Sequence, residues 1–235
     1  MSSVKAEITE IFSSIQGEGI FLGAKQIFIR FKKCNLNCAF CDETRKVKPK
    51  KYGSIELAKE VKTLEASHGP HHSVSFTGGE PLLYWDFLQD FLKTMKKTRG
   101  FKSYLETNGT LPHELSKIID LVDIVAMDFK LPSSTGEREY WHEHADFLKI
   151  ALKKKVFVKA VVTPDTDIED IEKASQLIRK TRKNVPFILQ PASPIKPDDM
   201  GIDREKLIKF LEVGSRNDVS NMRVIPQIHK ILKVK

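Results

Sequence analysis

Cysteine is scarce in this chain. Three occur in 235 residues, and all lie in one run of eight, Cys34-Asn35-Leu36-Asn37-Cys38-Ala39-Phe40-Cys41. An odd count, very short intervening loops and the lack of a secretory apolar stretch ahead of the run argue against a disulfide framework. There is also no second cysteine pair of the kind a four-ligand zinc site uses, and His68, His71 and His72 are the nearest imidazoles. No apolar run approaches the roughly 20 residues of a membrane span, so no membrane partner and a cytoplasmic location are expected. The basic groups lack interleaved aromatics. Short clusters such as Lys46-Val47-Lys48-Pro49-Lys50-Lys51, Lys96-Lys97 and Lys153-Lys154-Lys155 make the net charge of +8 read as solvated surface, and no nucleic-acid partner is expected.

What is present is a CxxxCxxC spacing. Three thiolates supply three corners of a cubane 4Fe–4S cluster, which leaves one iron without a protein ligand and open to a substrate or cofactor. With 40% hydrophobic and 30% charged residues, the chain suits one α/β domain spanning 1–235. Candidate strands are Gln26–Phe31, Val74–Thr77, Ser103–Glu106, Ile124–Met127, Val156–Val162 and Phe187–Gln190. Amphipathic stretches alternate with them: Ile55–Ala66, Tyr84–Lys97, Pro112–Ile119, a region within Glu137–Lys154, Ile168–Lys180 and Arg204–Val213. Ser54 and Asp167 are candidate N-caps. Six βα units in a row imply a parallel sheet with right-handed crossovers, either an open doubly wound sheet or a partial (β/α)6 TIM-like barrel.

The strand ends favour the barrel-like site. Each of five strands is followed by polar residues: the cysteine loop, Thr77-Gly78-Gly79-Glu80-Pro81, Glu106-Thr107-Asn108-Gly109, Asp128-Phe129-Lys130 and Gln190-Pro191-Ala192-Ser193. In parallel βα folds ligands bind at that end of the sheet. The two glycines admit positive φ and close approach of a ligand, and Glu80 offers a carboxylate suited to an ammonium group. Taken alone, Thr77-Gly78-Gly79 also reads as a plain turn, and Asn108-Gly109 is a common turn signal.

The cysteine loop together with Gly78-Gly79-Glu80-Pro81 resembles the radical S-adenosylmethionine superfamily. Ile15-Gln16-Gly17-Glu18-Gly19, Phe28-Ile29-Arg30 and Arg223-Val224-Ile225-Pro226-Gln227-Ile228-His229 narrow the resemblance to the 7-carboxy-7-deazaguanine synthase family, a group of carbon–nitrogen lyases in queuosine and archaeosine precursor synthesis. It implies a radical SAM core whose 4Fe–4S cluster, on Cys34, Cys38 and Cys41, cleaves S-adenosylmethionine reductively. The radical so formed takes a hydrogen from C6 of 6-carboxy-5,6,7,8-tetrahydropterin; the ring then contracts, ammonia leaves and S-adenosylmethionine is regenerated. No side chain is expected to act as the catalyst itself, since the cofactors carry the radical. Carried over by position, Ile15, Gln16, Gly17, Arg30 and Thr77 would meet the pterin, with Arg30 on its carboxylate. Gly79, Glu80, Glu106, Asp128, Phe129, Lys130, Gln190, Pro191, Ala192 and Ser193 would hold S-adenosylmethionine. The family also implies an electron donor such as flavodoxin or ferredoxin, and a homodimer.

Two positions depart from the family pattern. The hydroxyl that follows Cys-Asp and ligates Mg²⁺ is replaced in Cys41-Asp42-Glu43-Thr44. Glu43 is a hard oxygen donor suited to Mg²⁺, and Thr44 is the alternative ligand if the loop shifts by one residue. Asp128-Phe129-Lys130 stands where Ser-Pro-Lys is common. Two rival functions share parts of the pattern: an activase of glycyl-radical enzymes, which needs the cysteine loop but not Gln16-Gly17-Glu18, and a zinc- or cluster-containing RNA-binding module, supported only by the net charge.

Overall fold

The computed structural model describes residues 4–41, 47–96, 101–182, 184–193 and 201–234. Nine strands form one open sheet. In chain order they are β1 (Lys5–Ile15), β2 (Lys25–Phe31), β3 (Lys50–Gly53), β4 (Ser73–Gly78), β5 (Ser103–Thr107), β6 (Ile124–Asp128), β7 (Lys155–Val162), β8 (Phe187–Pro191) and β9 (Met222–Val224). The spatial order is β3-β1-β2-β4-β5-β6-β7-β8-β9, so the barrel is partial. Every pairing from β2 through β9 is parallel, whereas β1 pairs antiparallel with β2 and β3. The α-helices among the described residues are α1 (Ser54–His68), α2 (Trp85–Lys96), α3 (Pro112–Ile118), α4 (Pro132–Thr135), α5 (Trp141–Ala151), α6 (Ile168–Arg182), α7 (Arg204–Arg216) and α8 (Ile228–Leu232). No helix among the described residues is long and apolar enough to cross a membrane.

The six expected strands and six main helices are all present. Three short or irregular strands lay outside the expectation, as did the short helices α4 and α8. β1 escaped because its register shifts between Ile8 and Glu10, which breaks the period-two alternation that marks a strand. β3 and β9 have only four and three residues. Ser54 does not cap α1 as expected. β3 runs straight into that helix, Gly53 holds the cap position with extended backbone and Ser54 becomes the first helical residue.

Alternation along each strand separates two layers. Ile27, Ile29, Val74, Phe76, Leu105, Val125, Met127, Val158, Phe187 and Leu189 point outward and pack with helical residues such as Phe87, Phe91, Phe147 and Ile171 in the main core. Each such buried side chain contributes about 1.5–3 kcal/mol. The opposite face lines the barrel interior. Its floor is Tyr104, Ile124, Ala126, Phe157 and Ile188, packed against Ile20 and Phe21. Those last two belong to a 3-10 turn, Gly19–Phe21, in the connection from β1 to β2. That connection folds back on itself through Gln16 N–H to Ala24 O and Gly23 N–H to Gln16 O, both 2.8 Å. It therefore plugs the lower end of the barrel and leaves the carboxyl ends of the strands open.

His144 of α5 is fully buried and stacks on Phe129, with ring centroids 4.7 Å apart. Burial lowers its pKa from 6.5 to about 4. Between those two values the unfolded chain takes up a proton that the folded chain refuses. This group's share of stability is therefore complete above pH 6.5 and is lost as pH falls through the window. About 3 kcal/mol is at stake. His144→Phe, which cannot titrate, should flatten the fall in urea midpoint between pH 6.5 and 4; identical pH slopes for variant and parent would refute this.

Candidate active site

The open end of the barrel holds a cavity of about 470 Å³, within the range of small-molecule sites. Ile15, Gln16, Gly17, Arg30, Cys34, Cys38, Cys41, Thr77, Gly79, Glu106, Asp128, Lys130 and Gln190 all line it. The structure thus brings together thirteen residues marked in the sequence, drawn from six separate segments. A shallower groove of about 720 Å³ between α5 and α6 contains none of them.

The cysteine loop leaves β2 and crosses the cavity mouth. Cys34 and Cys41 are exposed and Cys38 is half-buried. The intervening residues anchor the loop: Ala39 N–H donates to Thr135 O at 2.9 Å and Asn37 N–H to Glu137 Oε1 at 2.6 Å. Asn35 donates to Thr110 Oγ1 at 2.9 Å and accepts from Asn108 Nδ2 at 2.8 Å. Burial pushes the Cys34 thiol up and the Cys38 thiol to about 11, so metal binding must displace their protons. Among the described residues no three His, Cys, Asp or Glu side chains converge as ligands of a single ion. A cubane places each thiolate on a different iron, so three soft donors spread around one cavity mouth fit a cluster. Glu43 and Thr44 lie outside the described residues.

Behind the loop sit the two glycines. Gly78 has φ +103°, and a Cβ on Gly79 would lie 2.0 Å from Lys33 O. Gly79 is therefore required by the approach of the chain just ahead of Cys34, to which Glu80 N–H also donates at 2.7 Å, onto Lys33 O. Glu80 departs from its expected role. It is fully buried and does not line the cavity, bonding instead to Thr107 and Asn108 in its wall. Its Oε1 accepts from Thr107 Oγ1 at 2.9 Å and Leu82 N–H at 3.0 Å, and its Oε2 accepts from Asn108 N–H at 2.8 Å. Burial pushes its pKa up to about 7. The carboxyl ties the end of β4 to the end of β5 instead of facing an ammonium.

Phe129 also faces away. The alternation of β6 carries on just past its end, where Phe129 N–H still donates to Lys159 O at 2.7 Å, so Asp128 and Lys130 enter the cavity while Phe129, 1% exposed, enters the outer core. Lys130 Nζ donates to Asp128 Oδ2 at 2.9 Å and lies 5.5 Å from the centre of the Phe40 ring on the cysteine loop. Burial pushes the Lys130 pKa down, but Asp128 and Cys38 together push it up and the net shift is upward. Gln190 is buried and its Oε1 finds no donor among the described residues; nor does Asp128 Oδ1. Two orphaned acceptors aimed at a cavity fit a ligand that carries amine and hydroxyl donors, as S-adenosylmethionine does. Pro191, Ala192 and Ser193 are half-buried and do not line the cavity; Ala192 N–H donates to Val162 O at 2.9 Å, and Ser193 Oγ donates to Oε1 of the lining residue Gln227.

On the opposite wall, Glu106 accepts from Gln16 Nε2, Ser75 Oγ and Thr77 Oγ1, each at 2.9 Å. Gln16 Oε1 in turn accepts from Glu18 N–H at 3.0 Å. Arg30 lies at the rim, its Nε 3.0 Å from Glu10 Oε2 and its guanidinium 5.7 Å from the centre of the Phe12 ring. Among the lining residues beyond the expected set are Glu18, Lys159, Gln227 and His229. Their signal was weak but present. Lys159 is the lone charge between Val156 and Val162 of its strand, and Glu18, Gln227 and His229 fall within the Ile15–Gly19 and Arg223–His229 segments that carry the family resemblance.

The chain matches the Radical SAM superfamily over residues 28–178. The 7-carboxy-7-deazaguanine synthase of Geobacter sulfurreducens is 36% identical, covering 99% of this chain and 99% of that protein. That of Methanothermobacter thermautotrophicus is 34% identical with the same coverage of both. Among solved structures, QueE from Escherichia coli aligns with a TM-score of 0.62 at 23% identity over 95% of this chain and 94% of that one, a likeness of fold.

Replacing Glu80 by Gln would put an amide N–H against the Asn108 or Leu82 backbone donor. A stability loss of about 1–3 kcal/mol is expected in urea unfolding. The affinity of the folded variant for S-adenosylmethionine should change by less than about 3-fold, under 1 kcal/mol. A large affinity loss at unchanged stability would restore Glu80 as a ligand contact.

Proposed function

Because the chain belongs to the radical SAM superfamily and, within it, to the 7-carboxy-7-deazaguanine synthase family, we propose that it converts 6-carboxy-5,6,7,8-tetrahydropterin to 7-carboxy-7-deazaguanine with loss of ammonia. The observation that carries this reading is the convergence of the three cysteines, the Gly79 edge and the Ile15–Gly17 loop on one cavity. When bound, the cluster and S-adenosylmethionine supply the carbon radical that takes hydrogen from the pterin. Everything else is positioning.

Cys34, Cys38 and Cys41 would hold the cluster. The Gly79 backbone, Asp128, Lys130 and Gln190 would hold S-adenosylmethionine, with Asp128 Oδ1 and Gln190 Oε1 as acceptors for its amine and hydroxyl groups. Glu106 is already fixed by three donors, so it offers an ordered wall between the two ligands. Ile15, Gln16, Gly17 and Thr77 line the pterin side, and Arg30 would meet the pterin carboxylate. An activase would have no use for the Gln16–Glu18 segment, which here forms part of the cavity wall.

The reading extends to one domain across 1–235, a cytoplasmic homodimer, a flavodoxin- or ferredoxin-type reductant, no nucleic-acid partner, and Mg²⁺ on Glu43 or alternatively Thr44.

The test is anaerobic reconstitution followed by iron and sulfide counting and product detection by mass. One 4Fe–4S cluster per chain is expected. Cys34→Ala, Cys38→Ala and Cys41→Ala should each abolish reductive cleavage of S-adenosylmethionine, and full cleavage by any one of them would defeat the assignment. Arg30→Lys keeps the charge but loses the planar fork. It should weaken pterin binding on the order of 10-fold, about one charge-assisted hydrogen bond, with a smaller change for S-adenosylmethionine. Equal losses for both ligands would remove Arg30 from the pterin site. Glu43→Gln should raise the Mg²⁺ concentration for half-maximal turnover and spare cleavage measured without pterin. If Thr44→Ala shows that effect instead, the loop has slipped by one residue, and if chelator leaves the parent unaffected there is no Mg²⁺ site.

A further inference from the structure

Lys159 interrupts an otherwise apolar run, Val156-Phe157-Val158-Lys159-Ala160-Val161-Val162, at an inward-facing position of β7. Its side chain is 13% exposed. The ammonium ion-pairs with Glu18 Oε2 and lies 3.6 Å from Asp128 Oδ2. The two carboxylates come from different walls of the cavity. Glu18 belongs to the connection from β1 to β2, and its other oxygen accepts from Gln227 Nε2 at 2.8 Å. Asp128 ends β6 and also accepts from Lys130. One continuous chain of contacts, Lys130–Asp128–Lys159–Glu18–Gln227, thus runs from the wall that would hold S-adenosylmethionine to the wall that would hold the pterin. Taking an ammonium out of water is costly unless carboxylates surround it, so this position is specific to a cation. Burial alone would push the Glu18 carboxyl up, yet Lys159 and Gln227 hold it down at about 2, and both carboxylates keep the Lys159 ammonium charged.

We propose that Lys159 is a positioning residue: by holding Asp128 and Glu18 on one ammonium, it sets the separation between the S-adenosylmethionine wall and the pterin wall that hydrogen transfer requires. The proposal rests on the function given above. A displacement of about 1 Å between reacting groups is enough to cost on the order of 100-fold in rate. Lysine is the apt cation because it is a compact point charge, whereas the arginine fork is broader and would push the walls apart.

The test uses the anaerobically reconstituted parent with Lys159→Arg, Lys159→Met, Glu18→Gln and the Lys159→Met/Glu18→Gln double variant. Calorimetry reads S-adenosylmethionine and pterin affinity separately, chromatography reads 5′-deoxyadenosine released per product, and urea reads stability. Lys159→Arg should bind both ligands within about 3-fold of the parent but release several-fold more 5′-deoxyadenosine per product, because charge is kept and reach is altered. Lys159→Met should weaken pterin binding about 10-fold or more and S-adenosylmethionine binding by less than about 3-fold. Glu18→Gln in the Lys159→Met background should recover part of the lost urea midpoint, since the carboxylate left unpaired is gone. An unchanged release ratio in Lys159→Arg, equal affinity losses in Lys159→Met, or strictly additive urea midpoints would overturn the proposal. Failure of the parent to convert the pterin would overturn the function instead, while the urea cycle would still report whether Lys159 joins the two walls.

Discussion

The two-residue period of the parallel strands is the constraint on which the molecule depends. Each strand must satisfy two environments at once: an outer one made of helix side chains and an inner one that is a ligand cavity. Ser75 and Thr77 alternate with Val74 and Phe76, Tyr104 and Glu106 with Leu105, and Asp128 with Met127 and Phe129. The same backbone thus delivers apolar area to the core and polar groups to the site. A slip of one residue in any strand would exchange the two sets, so register and chemistry are specified together.

The polar interior has its own cost, and the chain offsets it by closing hydrogen-bond circuits between strands. Glu106 collects donors from Gln16, Ser75 and Thr77, and Glu80 collects donors from Leu82, Thr107 and Asn108. Both carboxylates stitch adjacent strand ends together, one inside the cavity and one behind it. Partly satisfied networks of this kind are costly and fully satisfied ones rigid. Two oxygens that lack a donor among the described residues, Gln190 Oε1 and Asp128 Oδ1, belong to cavity residues, where a ligand can complete them.

Much of this was legible in the sequence, and the reasons for the misses are physical. Strand ends and the cysteine spacing marked the cavity because parallel folds bind ligands there and because three clustered thiols have few other uses. Phe129 and Glu80 hold motif positions, but a position in a motif does not say which way its side chain turns. Strand alternation answers that for Phe129. For Glu80 the answer lies in backbone donors from β5 and the turn after β4, partners no local reading supplies. Lys159 stands out in the sequence as a cation in the middle of the apolar run 156–162, yet its meaning needs Glu18, 141 residues away in sequence. β1 was lost to a bulge, and with it the origin of the connection that plugs the barrel.

The ionisations around the cavity point to a common end. Lys159 and Lys130 are held charged by neighbouring carboxylates, and Glu18 is held ionised far below neutrality. None of these three is poised to exchange a proton near pH 7, which is the property a general acid or base requires. Fixed charges of opposite sign, interlocked across the walls of a cavity, resist displacement and keep bound ligands in register. That is the demand of a reaction in which the cofactors carry the reactive electron and the protein controls only distance and orientation. A site built for proton transfer would leave one of these pairs unlocked.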